Sequence, residues 1–189
     1  MPLDPVARRM LDDFIASGRP NAHLLPVEQA RANFEALFED LRPGEPVATV
    51  DDYELPVEGG SIPARAYRPS DEAGLGLVVY FHGGGWLLGS VESHDTVCRA
   101  LANASGAVVL NVGYRRAPEW RFPTAADDAL AATRWAHANA EALGADASNR
   151  REGDASCSTT SIRVRASIGL AIWASMPTAL QRCWSSSLV

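Results

Sequence analysis

The residues best suited to chemistry are His82-Gly83-Gly84-Gly85-Trp86, directly after the apolar run Val78-Val79-Tyr80-Phe81. Three successive glycines carry no Cβ, so the backbone can turn sharply and bring its N–H groups close to a ligand. Two such N–H groups aimed at one point stabilise the oxyanion that acyl transfer generates. A plain flexible turn would use the same residues, and the glycines alone fit both. Other chemistries are excluded by residue type. All 17 basic residues are arginine, which rules out a Walker-type phosphate loop and Schiff-base chemistry, since both need a lysine amine. Cys98, Cys157 and Cys183 form no CxxC pair, which argues against a zinc site or a disulfide framework. A net charge of −6 without a basic run disfavours nucleic acid and anionic membranes as partners.

The segment VVYFHGGGW, the later segment NVGYRRAPEWRFPTAADDALAATRWAHANAEALGAD and the opening MPLDPVARRMLDDF together resemble the hormone-sensitive-lipase-like branch of the α/β-hydrolases, a family of carboxylesterases and lipases. The resemblance runs over residues 1–149. It implies the N-terminal half of an α/β-hydrolase fold and hydrolysis of small acyl esters through an acyl-serine intermediate, with no metal or cofactor. It assigns the N–H groups of Gly83, Gly84 and Gly85 to an oxyanion hole and gives His82 the part of shaping the glycine loop. Tyr80 and Trp86 would pack. Arg115 and Glu119 would pair to fix the YRRAPE loop, and Asp127 and Asp128 would serve a helix start. His23, His94 and His137 are expected on solvated or cap surfaces.

The family's reaction also needs a serine on a GxSxG elbow, followed in the chain by an acid and a histidine. The nearest text is Gly153-Asp154-Ala155-Ser156-Cys157, in which Ala155 separates Asp from Ser and no glycine stands two places after Ser156. Ser156 is the candidate nucleophile that this text offers, without the glycine the elbow needs. No Asp or Glu follows Asp154 and no His follows His137, so the triad order cannot be completed within these residues.

The elements that must position the loop read as follows. Asp4-Pro5 opens a helix with Val6, Met10 and Phe14 on one side, ending near Ser17. Pro26 starts a second helix, running to Leu41 before Pro43-Gly44. Residues 47–57 and 62–67 form a hairpin around Glu58-Gly59-Gly60. Residues 75–81 and 107–112 are near-continuous apolar runs, the pattern of strands buried on both faces. Helices are expected over 93–105 and 124–143, the second with a face of Ala125, Ala129, Ala132, Ala136, Ala140 and Leu143. Alternation of strand and helix makes this α/β: a partial α/β-hydrolase fold, with a mostly parallel sheet flanked by helices, an N-terminal helical cap and an atypical C-terminal tail.

Three segments follow: a cap over 1–45, the first half of the hydrolase core over 46–149, and a divergent tail over 150–189. The first 150 residues hold 7 serines and the last 39 hold 8, and no apolar strand appears near 150–157 where the alternation calls for one. The tail is expected to be out of frame relative to an esterase gene, or a recombined end. On this reading the chain is a truncated, inactive hydrolase that keeps the oxyanion loop and lacks the triad. The alternative is a non-catalytic binding or interaction module on half of the fold, self-associating through the sheet edge beyond residues 107–112. The N-terminus does not resemble a signal peptide, and the uncharged stretch 166–181 is too short to span a bilayer and is interrupted by Pro177, which points to the cytoplasm rather than a membrane.

Overall fold

The computed structural model describes residues 3–18, 20–39 and 44–146; Ser156 and the rest of the tail lie outside the described residues. Helix α1 (Pro5–Ala16) starts where Asp4 accepts hydrogen bonds from the N–H groups of Val6 and Ala7 at 2.9 and 3.3 Å. Helix α2 (Val27–Ala36) ends five residues before the expected Leu41. Leu37 and Phe38 there donate to Phe34 and Glu35, three residues back, so the last turn tightens instead of continuing.

The hairpin forms as expected: β1 (Thr49–Val57) and β2 (Gly60–Arg68) pair antiparallel from Val57↔Gly60 to Thr49↔Arg68. Strands β3 (Gly76–Phe81) and β4 (Ala107–Val112) follow, separated by helix α3 (Asp95–Ser105), whose C-cap Gly106 takes the left-handed φ of 62°. Helix α4 (Thr124–Ala138) also stops early, before the expected Leu143. The Asn139 side chain donates to the Trp135 carbonyl at 2.8 Å, and the chain turns to Gly144.

The sheet order is β1-β2-β4-β3. The α/β class stands, but the described sheet is mixed rather than mostly parallel: β3 and β4 pair parallel, while β2 meets both β1 and β4 antiparallel. This order also corrects the expected burial. Strand β4 has neighbours on both sides and is buried at all six positions, whereas β3 is half-buried throughout because it forms the edge of the described sheet. The edge is therefore β3 and not β4. Beyond it lies one parallel bridge, Leu75↔Ala145.

Two cores sit on opposite faces. On one, Leu55, Ile62, Ala64, Val108, Leu110 and Val112 pack against Ala132 and Ala136 of α4, whose small side chains let the helix lie close. On the other, Tyr67 and Val109 pack against Cys98 and Ala102 of α3. Parallel β3 and β4 end together, Phe81 opposite Val112, so both following loops leave the same end of the sheet.

Candidate active site

The loop after β3 is a compact knot. Gly84 and Gly85 take φ of 125° and 62°, Trp86 joins them at 59°, and Gly89 at 84°. The Gly84 carbonyl accepts from the N–H groups of Leu87 and Leu88 at 3.2 and 2.9 Å. A Cβ on Gly84 would stand 2.1 Å from the Leu88 carbonyl oxygen, and one on Gly89 would stand 2.4 Å from the Gly83 oxygen. Glycine is thus required at both positions by contact as well as by φ. The N–H groups of Gly83, Gly84 and Gly85 donate to no acceptor among the described residues, and Gly83 and Gly85 are exposed. Amides held this way can receive a negatively charged oxygen.

His82 lies beneath the loop, 3% exposed. Its Nδ1 lies 2.9 Å from the Gly83 carbonyl oxygen, which sets Nδ1–H as the donor, and its buried Nε2 has no partner among the described residues. The ring stacks on Tyr114 at 4.3 Å, and the Tyr114 hydroxyl donates to the His82 carbonyl at 2.8 Å. Burial pushes the imidazole pKa down to about 4, opposed by the Gly83 hydrogen bond and aided by His94 and Arg116. The ring is neutral at pH 7. An open cleft of about 490 Å³ lies alongside, lined by His82, Gly89, Ser90, Tyr114, Arg116 and Arg65 among others.

Several expected placements change. His94 is buried rather than solvated, because Phe38, Tyr80 and His82 surround its ring at 5.4–5.9 Å; burial lowers its pKa. His23 and His137 are exposed. Trp86 does not pack; it is 56% exposed, turned outward by its left-handed backbone. Arg115 does not pair with Glu119. Its guanidinium instead grips the buried Asp128 at 2.6–3.2 Å, and Asp128 also accepts from the Arg115 N–H at 2.9 Å. Asp128 thus anchors the loop after β4 to α4 instead of serving only the helix start.

Glu119 goes to Arg31 of α2. Arg31 Nη1 and Nη2 donate to the two Glu119 carboxylate oxygens, both at 2.8 Å. Its Nε donates to the Leu87 carbonyl at 3.0 Å and its Nη2 to the Ala117 carbonyl at 2.7 Å. The Arg31 hydrogen bond holds the Glu119 carboxyl down at about 2. One turn further on, Glu35 accepts from the Ser90 hydroxyl at 3.0 Å. Sequence reading missed Arg31, and no local signal could have found it, since its acceptors lie 56 to 88 residues away.

No group of three or more metal-ligating side chains occurs among the described residues, and no helix among them is long and apolar enough to cross a membrane. Residues 78–150 match the family described as the alpha/beta hydrolase fold. The chain is 47% identical over 132 residues to ethyl acetate hydrolase of Pseudomonas putida, covering 66% of this chain and 41% of that protein. To the arylesterase of Saccharolobus solfataricus it is 37% identical over 146 residues, covering 77% of this chain and 48% of that one. Among solved structures, the hyperthermophilic esterase of the archaeon Pyrobaculum calidifontis superposes with a TM-score of 0.71 at 47% identity, over 77% of this chain and 47% of its own. An ester hydrolase from the metagenome of Lake Arreo gives 0.72 at 39%, over 77% and 48%. The chain spans less than half the length of these relatives.

Proposed function

Residues 78–150 belong to the carboxylesterase-type α/β-hydrolase family, and from that premise we propose that this chain carries the oxyanion-binding half of a carboxylic-ester hydrolase without its nucleophile. What carries the reading is the knot at 83–89: exposed glycine amides without acceptors, held by backbone contacts that only glycine permits. In the reaction this supports, the carbonyl oxygen of a small acyl ester lies against the amides of Gly83 and Gly84, with Gly85 beside them. Charge developing on that oxygen is met by donors already in place. His82 is the loop's internal support and not the general base. Its Nδ1–H is engaged by Gly83, and its neutral, buried ring would resist taking a proton near pH 7.

No Asp, Glu or His follows the candidate Ser156 within the 189 residues. On this reading these 189 residues by themselves hydrolyse no ester. A p-nitrophenyl acetate assay on the purified chain is expected to show the buffer rate; turnover abolished by Ser156→Ala would overturn this. Binding is tested separately. Titration with acetate, the product anion, should shift the amide resonances of Gly83–Gly85 and leave those of β4 in place; unmoved glycine resonances would remove the oxyanion assignment. The half-buried β3 edge supports self-association of the chain taken alone.

A further inference from the structure

Helix α2 does more than precede the core. Its Arg31 satisfies one carbonyl of the glycine loop, Leu87, and one of the loop after β4, Ala117, and is itself fixed by both oxygens of Glu119. The same two loops are joined directly, since Ala117 N–H donates to the Trp86 carbonyl at 2.9 Å. Trp86 is the non-glycine residue with positive φ among the described residues, a strained conformation that persists only where its surroundings hold it. The peptide links on both sides of Leu87 are therefore pinned from outside: the carbonyl before it by Ala117, the carbonyl after it by Arg31. Those links close the turn whose first carbonyl belongs to Gly84.

We propose that Arg31 is a positioning residue for the oxyanion loop: its planar fork locks the Gly84–Leu88 turn against the loop after β4 and so sets the direction of the Gly83 and Gly84 amides. Lysine cannot replace it, because one ammonium cannot meet two carbonyls and a bidentate carboxylate in one plane. The inference rests on the oxyanion reading of the loop, but the turn's rigidity is measurable without any ligand.

Amide exchange of the full chain supplies that measurement. The N–H groups of Leu87, Leu88 and Ala117 are the turn's own donors. In Arg31→Ala they should exchange faster by about tenfold or more, the loss expected when a charge-assisted hydrogen bond is removed, while β4 amides stay within about twofold. Arg31→Lys should behave like Arg31→Ala, and millimolar guanidinium, against a sodium control, should restore protection in Arg31→Ala and not in the parent. A general packing role predicts something else: turn and β4 amides accelerating together, with no rescue. That result, or unchanged Leu87 and Leu88 exchange, overturns the proposal. Acetate titration of the same samples separates the two readings. If acetate fails to shift the parent's glycine amides, the oxyanion reading fails while the exchange result stands. If the parent responds and Arg31→Ala responds equally, the loop binds its anion without Arg31 and the positioning role is lost.

Discussion

At the scale of single residues, the site's demands divide into those written in residue type and those written in distant partners. Gly89 is of the first kind. Its φ of 84° and the 2.4 Å approach of a would-be Cβ to the Gly83 oxygen make Gly89→Ala strained whichever way it relaxes. The expected loss is about 1–3 kcal/mol, read by urea unfolding; a variant as stable as the parent would mean the knot is loose. His82 gives a pH dependence. Its pKa is about 4 in the fold against 6.5 in an unfolded chain, so the unfolded state takes up the proton first as pH falls. The stability from the neutral ring is complete above pH 6.5, declines from there to pH 4 and is lost below it. The size is about 3 kcal/mol. Urea midpoints of the parent should fall across this window, and those of His82→Asn should fall less; equal slopes would dismiss the assignment. Gly83–Gly85 and His82 were legible because glycine and histidine announce themselves beside a strand. Asp128, His94 and Arg31 were not, because what makes them matter is a contact made by another part of the chain.

Elements were legible where short-range rules act alone. The ends of β4, the β1–β2 hairpin and the Asp4 cap follow from local apolar runs, turn chemistry and capping, although Gly60, expected in the turn, already pairs with Val57 as the first residue of β2. The ends of α2 and α4 were overrun, because the apolar pattern continues past the point where the backbone turns. Asn139 marks the point: its backbone N–H and its side-chain amide both donate to the Trp135 carbonyl and close the last turn, and apolar periodicity does not register a cap of this kind. The alanine face of α4 leads to a sharp expectation. Ala136 is fully buried in the core under β1, β2 and β4, so Ala136→Leu overpacks it and should cost about 1–3 kcal/mol in thermal or urea unfolding. Neutral behaviour would mean that α4 stands further off the sheet. Asp4→Ala is its counterpart at the surface. Helix α1 is exposed at every described position, so loss of the cap should lower helicity in α1 by about 1 kcal/mol of local stability and leave core exchange unchanged.

At the scale of the whole molecule, the structure departs from the sequence expectation in which strand ends the sheet of the described residues. Chain order suggests that β4, the last strand, forms the edge; the crossover through α3 instead inserts β4 between β2 and β3. No single run of residues encodes that, since both strands read as buried apolar segments. The consequence is a β3 whose six residues are all half-buried and whose outer side meets only the Leu75↔Ala145 bridge among the described residues. A flat apolar edge pairs with other chains by adding strands, whereas an apolar helix face associates by burying side chains. Both surfaces exist here: α1 leaves Val6 67% and Ile15 66% exposed, with Phe14 also outside the core. The two routes are separable. Light scattering of the purified chain should show mass rising with concentration. Val6→Glu combined with Leu11→Glu, Phe14→Glu and Ile15→Glu charges the exposed apolar positions of α1 and leaves β3 untouched, so the rise should persist if the sheet edge drives it. A variant that becomes monomeric would assign the association to the helix, and a monomeric parent would remove the edge as a contact altogether.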